Sequence, residues 1–239
     1  MLNVLRCKKI LSTPITLCRR MTNNSDEMKI WRPQDHVPKE VQTLLARKHP
    51  NHVLAFLNVV QHLKLQRRTG WVDHDIDPCE SISDHMYRMG VTAMLIKDPK
   101  VNRDKCVRIA LVHDIAEALV GDITPFSEVT KEEKHRREWE TIQFLCNELI
   151  KPYNEIAAKE IMEHWLEYEN ISSLEARYTK DIDKYEMLVQ AFEYETRYGE
   201  RVDLDQFWSA MSSIKTEEVK GWANDLYTLR GETLKQNKI

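Results

Sequence analysis

Residues 111–122 read LVHDIAEALVGD, an apolar stretch that four polar side chains interrupt, and this stretch decides the fold and the site. On an α-helix, at about 100° per residue, His113 and Glu117 would lie one turn apart with Asp114 beside them. Gly121 would then end the helix and let Asp122 turn back towards the same place. An imidazole and several carboxylates are costly to bury among Ile, Leu, Val and Ala unless they are paired or bind a cation. The stretch therefore predicts a buried polar site able to hold a metal ion.

Composition favours an all-α protein. The chain has only 6 glycines in 239 residues, and its long segments repeat apolar residues with a helical period. Repeats, low-complexity tracts and convincing strand patterns are absent, so a single-domain helical bundle is the simplest account. A net charge of −3 gives no general attraction to nucleic acid or membranes. Since no apolar run approaches the ~20 residues of a membrane span, we expect neither nucleic acid nor membrane as a partner.

The N-terminal region is set apart by its composition. Residues 1–25 contain no acidic residue, five Lys or Arg, and several Ser and Thr. That composition is typical of a mitochondrial transit peptide, but a disordered extension, with Met21 as a conceivable second start, is the favoured interpretation. We expect residues 26–48 to be a lead-in segment and residues 49–236 to be the functional domain.

Cysteine usage indicates the compartment. The five cysteines are scattered, odd in number and without a Cys-x-x-Cys pair: Cys7, Cys18, Cys79, Cys106 and Cys146. This pattern fits free thiols in a reducing environment and excludes a thiolate zinc site. We therefore expect a cytoplasmic protein, with a mitochondrial location as the alternative.

Periodicity and helix signals divide the domain into helices. Ser81 with Asp84 three residues later resembles a helix cap, and Asp98-Pro99 ends the helix that follows. The other predicted helices run from Asn51 to a break at Thr69-Gly70, from Arg103 through the central stretch, and over residues 131–150, 154–168, 172–197, 203–212 and 215–235.

Two further ligand candidates lie on other helices, namely His85 after Ser81 and Asp183 on the helix over 172–197. With His113 and Asp114 they would make a set of two nitrogen and two oxygen donors, which suits Mn²⁺, Fe²⁺, Co²⁺, Ni²⁺ or Zn²⁺. Four protein ligands around a six-coordinate ion leave positions for water and a substrate oxygen, as catalytic metal sites do. Periodicity alone, however, places Asp181 nearer the apolar stripe than Asp183, so the choice between them stays open on spacing.

Four blocks carry a resemblance to a known family. They occur in order over roughly residues 50–200: Arg68-Thr69-Gly70-Trp71, residues 80–89 (ESISDHMYRM), residues 113–117 (HDIAE) with Gly121-Asp122, and Asp181-Ile182-Asp183-Lys184. This order is similar to that of the HD-domain metal-dependent phosphohydrolases. The residues within these blocks are more similar still to one branch of that family, the small α-helical 5′-deoxynucleotidases.

The resemblance implies a helical bundle of the HD-domain type that hydrolyses deoxyribonucleoside 5′-monophosphates to deoxynucleoside and phosphate. It implies that a transition metal such as Co²⁺ or Mn²⁺ is held by His85, His113, Asp114 and Asp183, which favours Asp183 over Asp181. It also implies a homodimer.

The resemblance gives roles to five more residues. Glu117 and Asp122 would position or deprotonate the attacking water. Together with the backbone carbonyl of Ile123, they could also hold a second, harder cation such as Mg²⁺. Arg68 would receive the substrate phosphate, and Trp71 would pack on the nucleoside.

Each of these residues also has a structural interpretation. His85 could be a satisfied helix histidine, Glu117 a partner of a lysine, and Trp71 a core residue. His164 with its neighbours Glu163, Trp165 and Glu167 is better explained as a polar rim than as a second metal cluster. Likewise, Glu133 and Arg137 are expected to pair on a solvated helix face. Two other functions remain open: an HD-type reaction on another nucleotide phosphoester, and a non-catalytic, metal-stabilised nucleotide-binding protein.

Overall fold

The computed structural model describes residues 30–236, and the regular structure in that range is entirely helical, which confirms the all-α prediction. The predicted N-terminal extension, with Cys7 and Cys18, lies outside the described residues. The α-helices are α1 (Lys39–Leu45), α2 (His52–Val60), α3 (His62–Leu65), α4 (Thr69–Val72), α5 (Ile82–Ala93), α6 (Arg103–Ala110), α7 (Glu117–Val120), α8 (Lys131–Phe144), α9 (Glu155–Asn170), α10 (Leu174–Tyr198) and α11 (Glu217–Gln236). Short 3₁₀ segments cover Pro33–His36, Gly199–Arg201 and Asp205–Ser213, and a π-helical turn, Leu145–Ile150, continues α8.

Helix α5 begins with a capping box, as Ser81 and Asp84 predicted. Ser81 Oγ accepts a hydrogen bond from the backbone N–H of Asp84, while the Asp84 carboxylate accepts one from the backbone N–H of Ser81. These bonds satisfy two N–H groups of the kind that a first helical turn leaves unpaired. The cap fixes the start of the helix that carries His85.

Helix α5 packs against both α6 and α10. The core that these helices share contains the buried side chains of Met89, Ala93, Ile96, Cys106, Ile182 and Leu188. Burying a side chain as large as Met89, Ile182 or Leu188 stabilises the fold by about 1.5–3 kcal/mol. Because α5 carries His85 and α10 carries Asp183, this packing sets the distance between the two side chains.

A second core lies between α2, α8, the π-helical turn and α9. Its buried members include Val59, Ile82, Met86, Leu145, Leu149 and Trp165. Val37 and Val41, from the lead-in segment, are buried in the same cluster.

The central stretch differs from the continuous helix that we predicted. Helix α6 ends at Ala110, residues 111–116 form successive turns, and α7 begins at Glu117. Several backbone bonds here join residues three apart, for example from Glu117 N–H to the Asp114 carbonyl. Side chains three residues apart align in such tight turns, so Asp114 and Glu117 face the same side.

The predicted break at Thr69-Gly70 is wrong by a few residues. Helix α3 ends at Leu65, and the backbone of Gln66 and Arg68 then pairs with residues next to Ser81. Thr69 itself starts the short helix α4. The predicted stop at Gly121 is confirmed, because Gly121 ends α7 with a φ of 86°, a backbone conformation that favours glycine.

No helix among residues 30–236 is both long and apolar enough to cross a membrane.

Candidate metal centre

His85 projects from α5 into the interior and is fully buried. Its Nδ1 is in contact with the Glu186 carboxylate of α10, which in turn accepts a hydrogen bond of 2.6 Å from Arg88 Nε. The other ring nitrogen, Nε2, makes no hydrogen bond. A carboxylate on Nδ1 fixes the orientation of the ring and its tautomer, leaving the Nε2 lone pair available to a ligand.

His113 repeats this arrangement with a backbone partner. Its Nδ1 lies 2.8 Å from the Ala110 carbonyl oxygen, to which it donates, while Nε2 is buried and again makes no hydrogen bond. Buried polar atoms almost always have a partner, so two orphaned Nε2 atoms in one place call for an explanation. A metal ion bound between them would supply one.

Two carboxylates converge on these nitrogens. His113 Nε2 lies 3.1 Å from Asp114 Oδ2, and His85 Nε2 lies 3.3 Å from Asp183 Oδ1 and 4.0 Å from Asp114 Oδ2. Candidate ligand atoms of His85, His113 and Asp114 all lie within 4.8 Å of one another. The structure thus brings the four predicted metal ligands together, and their mixed nitrogen and oxygen donors fit a divalent ion.

The local charges favour a cation at this point. Burial and the Arg68 charge lower the pKa of His85, but the carboxylates of Glu186 and Asp183 outweigh them and raise it to about 10. Burial raises the pKa of Asp183, and the neighbouring imidazoles of His85 and His113 nevertheless bring it well below its usual range. Without a metal ion the carboxylates would therefore keep a proton on His85, and a divalent cation at Nε2 would take the place of that proton.

Asp181 and Asp183, between which the spacing left the choice open, have different partners in the structure. Asp181 is fully buried, as periodicity predicted, but its Oδ2 accepts hydrogen bonds from the backbone N–H groups of Lys215 (2.9 Å) and Thr216 (2.6 Å) just before α11. Asp183 faces the histidines, and its Oδ2 accepts a 2.6 Å hydrogen bond from the Tyr168 hydroxyl. Helix α10 buries both faces because it crosses the centre of the bundle.

Glu117 and Asp122 lie on the adjoining side of the centre. Glu117 is only 2% exposed, and its Oε2 makes no hydrogen bond. Burial and repulsion by Asp114 and Asp122 raise the pKa of Glu117 well above its usual value. Asp122 Oδ2 accepts a 2.9 Å hydrogen bond from the Thr69 backbone N–H, so the chain does turn back here as predicted.

Arg68 reaches the same group of carboxylates. Its Nη1 lies 3.3 Å from Asp114 Oδ2, 3.8 Å from Asp122 Oδ2 and 4.0 Å from Glu117 Oε2. The guanidinium is therefore held beside the centre by three negative neighbours. Its remaining donors are in a suitable place to meet an anionic group.

Trp71 could be a core residue or a substrate-binding residue according to the sequence, and in the structure it is buried and also lines a cavity. It is buried, its indole N–H donates a 2.9 Å hydrogen bond to Glu80 Oε1, and its ring packs against Phe207 at 4.6 Å between centroids. It also contributes to the wall of a cavity of about 440 Å³ that Arg68 and Asp183 line as well. That volume is in the range of small-molecule sites.

Several residues around the centre carry no recognisable motif in the sequence. Glu186, Tyr168 and Lys134 contact the predicted ligands, yet none belongs to a motif that we recognised. Glu186 lies one helical turn after Asp183, and this spacing on α10 was the signal that could have indicated it.

The expected polar rim around His164 forms no metal group. Within residues 30–236, the sets close enough to share an ion are His85–His113–Asp114 and Glu80–His85–Glu186. Trp165 is buried in the core. The predicted pair of Glu133 and Arg137 is present at 2.8 Å.

Comparison with known proteins agrees with this geometry. The sequence profile of the HD domain matches residues 60–222. The chain is 68% identical over 200 residues to the 5′-deoxynucleotidase YBR242W of Saccharomyces cerevisiae, covering 84% of each protein. It is 62% identical over 199 residues to the 5′-deoxynucleotidase YGK1 of the same organism, covering 83% of this chain and 93% of that protein.

A solved structure supports the same assignment. The HD domain-containing protein YGK1 is similar with a TM-score of 0.68 and 50% sequence identity, over 84% of this chain and 98% of that one. With the motifs, the fold and these relatives in agreement, the chain belongs to the HD-domain family.

Proposed function

We propose that this protein is a metal-dependent 5′-deoxynucleotidase, which hydrolyses deoxyribonucleoside 5′-monophosphates to deoxynucleoside and phosphate. The observation that carries the proposal is the pair of buried, unpartnered Nε2 atoms of His85 and His113 beside Asp114 and Asp183. His113, Asp114 and Asp183 line the cavity, so a substrate can reach the centre. The names of the curated relatives support the choice of substrate.

His85, His113, Asp114 and Asp183 would hold a transition metal, for which the donor types suit several divalent ions and the family resemblance favours Co²⁺ or Mn²⁺. Mg²⁺ is the candidate for a second position at Glu117, Asp122 and the Ile123 carbonyl, because it prefers oxygen donors. When bound at the histidines, the metal would polarise the phosphoryl group and lower the pKa of a nearby water.

The residues of the chain supply the remaining chemistry. Arg68 would bind the phosphate and offset the charge that develops on its oxygens during in-line displacement. The raised pKa of Glu117 suits it to accept the proton of the attacking water. Attack forms the new P–O bond as the bond to the 5′-oxygen breaks, and that oxygen leaves with the bonding electrons and takes up a proton from solvent water to become the hydroxyl of the nucleoside. The edge of Trp71 that lines the cavity would pack on the nucleoside.

The test is a phosphate-release assay with the purified protein, a panel of nucleotides, and Co²⁺, Mn²⁺ or Mg²⁺. We expect inorganic phosphate from deoxynucleoside monophosphates, and none from the Asp183→Asn variant. Release of triphosphate, or opening of a cyclic phosphodiester, would instead favour another nucleotide phosphoester. Binding without product under every metal would favour a nucleotide-binding protein and contradict the proposal.

A homodimer is proposed from an apolar patch formed by α5, the turn that follows it, and the first residue after α6. Its members are between 43% and 69% exposed: Tyr87, Val91, Met94, Leu95 and Leu111. The first four recur at helical spacing, and Leu111 lies against Gly90 on the same side. A patch of this kind, repeated on a second copy, can pair with itself about a two-fold axis. We expect Val91→Glu to reduce the mass of the particle measured by light scattering, whereas an already monomeric protein would contradict the proposal.

The domain limits and location also remain proposals. We place the catalytic domain at residues 49–236 and the lead-in at 26–48, with residues 1–25 as a separate extension. The buried thiols of Cys79, Cys106 and Cys146 are free, which suits a reducing compartment such as the cytoplasm, with a mitochondrial location as the alternative.

A further inference from the structure

Lys134 reaches from α8 into the carboxylates beside the metal centre. Its ammonium donates a 3.0 Å hydrogen bond to the Ile123 carbonyl oxygen and lies 3.6 Å from Glu117 Oε1. Glu138, one turn further along α8, has Oε1 3.4 Å from the same nitrogen. Two of the three groups that we proposed as donors to a second cation are therefore already in contact with a positive charge.

The carboxylates around the Lys134 ammonium make this site favourable for a cation. Glu117 is buried, and its Oε2 has no hydrogen-bond partner. Burial lowers the pKa of the Lys134 ammonium, but the carboxylates of Glu117 and Glu138, with smaller contributions from Asp114 and Asp122, outweigh burial and raise it. A Mg²⁺ ion binds oxygen at about 2.0–2.1 Å. An ammonium that contacts the same oxygens would be both too close to the ion and repelled by it.

We propose that Lys134 is the resident cation of the second site, so that its ammonium and a divalent cation exclude one another. A divalent ion binds Glu117 and Ile123 only after the lysine side chain has moved away, and Glu138 is placed to receive it. The inference rests on the proposed function only in its choice of Glu117, Asp122 and Ile123 as donors. Competition from the Lys134 ammonium would raise the concentration of free divalent ion needed to fill the second site.

The experiment measures Mn²⁺ binding to the metal-free protein, with free Mn²⁺ followed by electron paramagnetic resonance and no nucleotide present. We expect one tight class, from the histidine site, and one weak class. Lys134→Gln is expected to tighten the weak class by at least about tenfold, because it removes the competing charge. Lys134→Arg keeps the charge and should bind as weakly as the wild type.

Two controls make the result specific. Lys131→Gln removes the same charge from the same helix and the same cavity. Lys131 is exposed, and among the contacts of the described residues it has none with Glu117 or Ile123. The weak class of Mn²⁺ sites in this variant should therefore have the wild-type affinity. Asp122→Asn in the Lys134→Gln background should abolish the tightened class, which assigns that class to this site.

Superimposable isotherms for the wild type and Lys134→Gln would overturn the inference, as would equal tightening in Lys131→Gln. Because the isotherms involve no substrate, they are independent of the phosphate-release assay. A protein that binds Mn²⁺ as described but releases no phosphate would support the role of Lys134 and contradict the proposed function.

Discussion

The two sides of the centre differ in how their polar atoms are satisfied. On the nitrogen side, defined by His85 and His113, each Nδ1 has a protein partner and each Nε2 has no hydrogen bond. On the carboxylate side, defined by Glu117, Asp122 and Ile123, the neighbouring groups are cations and N–H donors of the protein itself. We therefore expect the nitrogen side to take up an external cation, whereas the carboxylate side already lies beside Lys134 and Arg68.

The largest effect is expected from breaking the nitrogen side. His113→Ala removes one of the two free Nε2 atoms, and we expect the protein to lose its transition metal and at least about 10³-fold in kcat/KM. Metal content by mass spectrometry and phosphate release measure this. If the folded variant kept one equivalent of metal and its activity, His113 would not be a ligand.

A change on the carboxylate side should separate catalysis from metal binding. Glu117→Gln keeps the size of the side chain but removes its ability to accept a proton, so we expect kcat to fall about 10²–10⁴-fold. The content of transition metal should stay at the wild-type level. A fully active variant would contradict the role given to Glu117, and loss of the transition metal would show that the two sides are not separable.

A smaller effect is expected from the partner of His85. Glu186→Gln weakens the contact that orients the imidazole, and the affinity for the transition metal should fall about 10–100-fold. Glu193→Gln is the matched control, since Glu193 also binds Arg88, at 2.9 Å, but does not reach His85. Equal losses of metal affinity in the two variants would show that Arg88, and not the link to His85, matters.

The smallest effect on the centre is expected from Asp181. Asp181→Asn weakens the hydrogen bonds to Lys215 and Thr216, and we expect the free energy of unfolding to fall by about 1–3 kcal/mol, measured by urea denaturation. Metal content should be unchanged, whereas Asp183→Asn should lose the metal. The reverse outcome would mean that the two aspartates have been given each other's roles.

The sequence predicted the helices, and which side chains would lie together, better than it predicted the local backbone. His85, His113, Asp114 and Asp183 come from three separate parts of the chain, and the structure brings them together because α5, α6 and α10 share one core. The central stretch was expected to be helical because its apolar spacing is helical. Its hydrogen bonds follow a tighter turn, which periodicity over only a few residues does not distinguish.

Residues that support the ligands were harder to find. Tyr168 and Lys134 are separated from their partners by 15 and 11 residues, and both come from helices whose pattern predicts only an amphipathic face. Asp181 shows the opposite case: its burial is predicted by periodicity, but its hydrogen bonds to the backbone of Lys215 and Thr216 are not. Burial is encoded in periodicity, whereas the partner of a buried group depends on tertiary packing.

The most direct test of the central claim is anomalous diffraction from a crystal of the protein grown with Mn²⁺. We predict a peak within about 2.0–2.3 Å of His85 Nε2, His113 Nε2 and oxygens of Asp114 and Asp183. A peak bound to only one of the two histidines, or none between them in a protein that binds Mn²⁺ in solution, would contradict the account.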